Sequence, residues 1–81
     1  AGETSASISH FRQAIRLRPD WGKPWHNLVL IYLRLRDAEA ASAALAELQR
    51  REPADRIQAV SDAVQKLRTD NGSTTPALTV P

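Results

Sequence analysis

The chain has 81 residues, enough for one small domain that buries roughly 60% of its unfolded surface. It contains no cysteine, which excludes disulfides, thiolate nucleophiles and zinc–thiolate sites; no apolar run approaches the ~18–20 residues of a membrane span, and no signal peptide is visible. The formal net charge of +2 is small, and both signs alternate, as in Arg34, Arg36, Asp37, Glu39 and Arg50, Arg51, Glu52, which is the pattern of a solvated surface and not of a nucleic-acid footprint.

Residues 1–4 are small and polar and are expected to be loose. The first helix is expected from Ser5 to Arg18, with Ile8, Phe11, Ala14 and Ile15 at helical spacing. Thr4 or Ser5 can cap it. Pro19 closes it, because the residue before a proline disfavours the helical conformation. Asp20, Trp21 and Gly22 form the turn, with Trp21 expected to pack over the helix ends.

The second helix is expected from Lys23 to Leu35, with Pro24 in the first turn, where a missing N–H costs little. Trp25, Leu28, Val29, Leu30, Ile31, Tyr32, Leu33 and Leu35 leave it almost no polar face. A helix apolar all round is buried on several sides, so it should pack on both the first and the third helix. The third helix runs from Ala38 to Arg51. Asp37 caps it, Glu39 suits the positive end of its dipole, and Ala41, Ala44, Leu45 and Leu48 make its inner face. The fourth runs from Asp55 to Arg68. Its apolar stripe is Ile57, Val60, Val64 and Leu67, the mark of a helix that covers one end of a stack and turns a polar back to water. Residues 69–81, with Asp-Asn-Gly-Ser-Thr-Thr-Pro, read as a disordered tail.

Nothing in the chain carries chemistry. His10 and His26 are the only histidines. No cysteine or paired carboxylate joins them at ligand spacing, so no metal or cofactor is expected. The serines have no nucleophile context, and three glycines do not make a phosphate loop. The expectation is a non-enzymatic segment. The chain also has no methionine, as expected of a piece excised from a longer protein. The reading is of a soluble protein of unassigned compartment; the bias to Arg over Lys and to Ala hints at a bacterial cytoplasm or periplasm.

Pro19 and Pro53 stand 34 residues apart, and Ser7, Phe11 and Ala14 align at the same offset with Ala41, Leu45 and Leu48. One fixed period in small, apolar and Pro positions marks a helical repeat array. The set Trp25, Leu28, Tyr32, Ala41, Leu45, Leu48, Pro53 resembles one complete tetratricopeptide repeat. Ser7, Phe11, Ala14 and Pro19 resemble the second half of a preceding one. Residues 54–68 stand where a further repeat would begin, but Ala59, Asp62 and Lys66 replace its aromatic, Leu and Tyr. The resemblance therefore implies an all-α, antiparallel helix-turn-helix repeat, a piece of an α-solenoid of about four helices. It is organised as a half repeat over 5–21, a full repeat over 22–53 and a capping helix over 54–68. Val29 and Leu48 depart from the family, which has small residues at these close-contact points. They should push the paired helices apart or force local repacking. Asp37 stands where the family often has Gly.

What the resemblance implies for function is protein–protein interaction or scaffolding. A partner peptide or helix would lie in a concave groove lined by Lys23, His26, Asn27, Leu30, Leu33 and Arg34 of the second helix. Ile57, Val60, Ser61, Val64 and Arg68 of the fourth would complete it. The carboxylate clamp of some family members is not supported, since only Asn27 matches it and Leu30 stands where a second Asn belongs. An alternative is structural. Ile8, Phe11 and Ile15 form a face whose usual neighbour helix is missing, and it would be covered in a homodimer or by upstream repeats of a longer array. A DNA-binding helical module would need a basic recognition helix, and none of the four is one.

Overall fold

The computed structural model describes residues 2–70. The expected tail lies, from residue 71 onward, outside the described residues. Among those residues the chain is all-α: α1 spans Gly2–Leu17, α2 Gly22–Arg34, α3 Ala38–Arg51 and α4 Gln58–Arg68, with one 3-10 turn over Ala54–Arg56. Short turns join successive helices, and each helix packs on the next, so they run antiparallel.

The first helix begins at Gly2, so residues 2–4 are helical and not loose. Thr4 and Ser5 stand inside the first turns and do not cap the helix. Glu3 instead offers a carboxylate to the positive end of the helix dipole. The helix ends at Leu17, with Arg18 released just before Pro19, and a turn closes as the Trp21 N–H donates to the Arg18 carbonyl at 3.1 Å.

Two devices join α2 to α3. At the end of α2, Arg36 takes a left-handed backbone conformation, φ 57°. The Arg36 N–H donates to the Leu33 carbonyl at 3.0 Å and the Asp37 N–H to the Tyr32 carbonyl at 2.9 Å. This is a Schellman closure, built on a residue type that pays for the left-handed turn with steric crowding. Asp37 then caps α3, its Oδ1 accepting from the Ala40 N–H at 3.1 Å, as its place before an apolar-periodic run predicts.

The fourth helix does not start at Asp55. Residues 54–56 make the 3-10 turn, and α4 begins only at Gln58. The tighter turn brings Ile57 down into the core, where it is 3% exposed.

The core is Leu28 and Val29 of α2, Ala41, Ala44, Leu45 and Leu48 of α3, and Ile57, Val60 and Val64 from the last segment. Val29 and Leu48, expected to push the paired helices apart or force local repacking, are both 0% exposed. They are accommodated inside the α2–α3 interface. Helix α2 does pack on α1, α3 and α4, but it is not buried all round. Leu30 is 39% exposed, and Leu35, just past the helix end, 52%, because three neighbours do not encircle a helix of this length.

Candidate partner-binding groove

Helix α2 presents Trp25, Leu28 and Tyr32 at spacings of three and four, so these residues lie on one face. Helix α1 flanks that face with Arg12, Ile15 and Arg16. Helix α3 flanks the other side with Ala40, Ala43, Ala44 and Glu47. Together they line an open, mainly apolar groove of about 540 Å³. It exists because large side chains on α2 face small ones on α3. Three alanines supply a wall of backbone and methyl groups.

One edge of the floor is braced by Arg51. Its Nε donates to the Pro19 carbonyl at 2.7 Å, and its Nη1 to the Glu47 carbonyl at 2.7 Å and to Glu47 Oε1 at 2.8 Å. Its guanidinium lies 5.1 Å from the centroid of the Trp25 ring, within cation–π range. One side chain thus ties the α1–α2 turn, the end of α3 and the aromatic floor together. The Trp25 Nε1–H is buried without a hydrogen-bond partner among the described residues, so the ring is held by area and by Arg51. The hydrogen bond from Arg51, with help from the Arg50 charge, holds the Glu47 carboxyl below its usual range. Across the groove, Arg12 Nη2 donates to Tyr32 Oη at 3.3 Å, and Arg16 Nη2 to Gln13 Oε1 at 3.0 Å.

The residues of the groove expected from the sequence are spread over several hollows. Val60 and Val64 are 6% and 2% exposed and belong to the core. The stripe that made them candidates is the buried face of an amphipathic helix, and Val64 borders the surface at the cleft between α3 and α4. Ile57 is 3% exposed and borders the hollow that Lys23 and His26 line, and Leu33 is half-buried against the core. Lys23 and His26 line a separate hollow of about 200 Å³ with Trp21, Glu52 and Arg56. Ser61 and Arg68 line a cleft between α3 and α4 with Ser42, Leu45 and Gln49. Arg34 lies at the far end of α2 beside Glu3 and Ile31. Asn27 is half-buried and Leu30 exposed, and neither lines these hollows. Of the face expected to self-associate, Ile8, Phe11 and Ile15 are half-buried and pack against the core; only Ile15 reaches the groove.

Trp21, expected to pack, is 38% exposed. The Arg18 guanidinium lies 4.7 Å from its ring centroid, so a cation covers one face of the ring. Trp25 is half-buried: it packs against the core and floors the groove. The signal for this was present in Ala40, Ala43 and Ala44, whose size opposite Trp25 and Tyr32 leaves space.

Comparison with protein-family models, curated proteins and solved structures finds no match to this chain.

Proposed function

We propose that this chain is a tetratricopeptide-like helical-repeat module that binds a segment of a partner protein in the groove floored by Trp25, Leu28 and Tyr32. It acts by holding its partner and performs no catalysis. The observation that carries the reading is the apolar floor between α1 and α3. Large apolar surface left open by a small domain, and framed by polar residues, marks an interaction site. Aromatic residues in such a place are the usual anchors of an interface. The repeat period and its residue pattern support the same assignment.

The test is selection of binding peptides from a displayed random library, repeated against an Ala43→Arg variant. Ala43 is exposed on the groove wall, so a long cation there obstructs the groove and leaves the core alone. Peptides selected on the natural chain should lose binding to the variant. Peptides that bind both equally would place the interaction elsewhere and end this reading.

A second reading is self-association, favoured by the exposure of Leu17 and Leu35. Light scattering at low and high micromolar concentration decides it. A dimer that persists on dilution supports it, and a monomer throughout removes it.

A further inference from the structure

We infer that the occupant of the groove is an amphipathic helix with an acidic edge. The inference rests on the binding proposed above and goes further by naming the partner's chemistry.

The first step concerns backbone. Everything that lines the groove is helical. Its walls offer no strand edge with which an extended segment could pair. A helix satisfies its own backbone and needs only apolar contact from its host. The half-buried residues Ile15, Trp25 and Tyr32 provide that contact. The alanines of α3 permit close approach on one side.

The second step concerns charge. Arg12 and Arg16 stand four residues apart on α1, about 6 Å along the axis, and both border the groove. Their hydrogen-bond acceptors, Tyr32 Oη and Gln13 Oε1, are neutral. Neither forms an ion pair with an Asp or Glu among the described residues. On the opposite wall Glu47 is the single acid. It is already engaged by Arg51 at 2.8 Å and by Arg50 at 3.7 Å. The groove therefore has an uncompensated cationic edge on the α1 side and no free acid opposite. Two carboxylates one turn apart on a helix match the spacing of Arg12 and Arg16. Arginine favours carboxylate through its planar fork of donors.

The experiment uses the same displayed library, built on a single helical scaffold of about four turns. Peptides are scored for position-specific enrichment of Asp and Glu, then measured by fluorescence polarisation. Proteins compared are the natural chain, Ala43→Arg, Arg12→Glu/Arg16→Glu and the milder Arg12→Gln/Arg16→Gln, each checked for helicity. Expected are peptides that need an open groove and carry acids at i and i+4 along one edge. They should weaken about tenfold on charge reversal, lose affinity with added salt, and regain it when their acids become lysines. The Gln pair should show the loss without the regain. Groove-dependent peptides with no acidic edge, indifferent to both double variants, overturn this inference and leave the binding reading standing. Peptides indifferent to Ala43→Arg, or an empty selection, overturn both.

Discussion

Replacing Leu48 by alanine tests how the α2–α3 pair that carries the groove is held at its spacing. Leu48 is 0% exposed, as is Val29 on the facing helix. A buried Leu→Ala change costs roughly 2–5 kcal/mol, the lost transfer energy plus a term for the cavity that remains. Here the site borders the hollow lined by Gly22, Glu52 and Ile57. Water can enter part of the vacated space, and the neighbours need not collapse onto it. The middle of the range, about 3 kcal/mol, is the reasoned value. A domain of this size has a total stability of roughly 3.5–10 kcal/mol, so the variant stands near the edge of unfolding.

The assay is urea titration followed by far-UV ellipticity. With a slope of about 1 kcal/mol per molar, the midpoint should fall by about 3 M. Leu17→Ala is the control, since that side chain is 72% exposed and its loss should stay within about 0.5 kcal/mol. If Leu48→Ala lies within about 1 kcal/mol of the natural chain, the helices have closed up around alanine. The claim that their spacing is moulded to the larger side chain would then be wrong.

Arg36→Gly should raise stability by about 0.5–1 kcal/mol. Relief of the left-handed backbone at φ 57° outweighs the extra freedom that glycine gives the unfolded chain; a thermal melt shifted up by a few degrees is the readout. Acidification should weaken the fold through Glu47. Its folded pKa is lowered from 4.5, chiefly by the hydrogen bond from Arg51. A depressed carboxylate stabilises above the unfolded value and loses that contribution as pH falls through the folded one. Urea midpoints taken across that acid range should therefore drop more steeply for the natural chain than for Glu47→Gln, and equal slopes would remove the linkage. Arg51→Ala should cost about 2 kcal/mol, from its charged bond to the Pro19 carbonyl and its cover of Trp25. Arg51→Lys should recover little of this, because a lysine lacks the planar fork; full recovery would mean that charge alone mattered.

The parts of the fold legible in the sequence are those set by local chemistry. Helix α3 was read to the residue, because Asp37 is a strong cap and the Ala and Leu positions keep one phase up to Arg51. Pro19 likewise fixed the end of the first helix to within a residue. The onset of α4 was not legible. Asp55 looks like a helix start, yet the chain spends residues 54–56 on a tighter turn so that Ile57 can enter the core. The open groove beside Trp25 was not legible, for a reason that periodicity cannot supply. Trp25, Leu28 and Tyr32 carry the pattern of a buried face, and burial depends on what stands opposite. The side of α2 that looked available is partly closed by α4, whose valines pack inward. The side that looked closed stays open, because α3 answers two aromatic rings with alanine.

That contrast gives a test in which stability and binding move in opposite directions. An open apolar floor leaves stability unclaimed, and functional surfaces are where such losses are expected. Ala43→Leu places a branched apolar side chain on the groove wall, beside Trp25, Tyr32 and Ala44. Leucine is nearly as good a helix former as alanine, so α3 itself should not suffer. Covering part of the floor should stabilise the chain by up to about 1 kcal/mol, read as a higher urea midpoint. The same side chain occupies the space a partner helix would use, so groove-selected peptides should bind more weakly. A gain in stability with binding unchanged would show that the floor is accessible but not the binding surface. A loss of stability would mean that the wall has no room for the added side chain, and the groove as described would be too shallow to hold a helix.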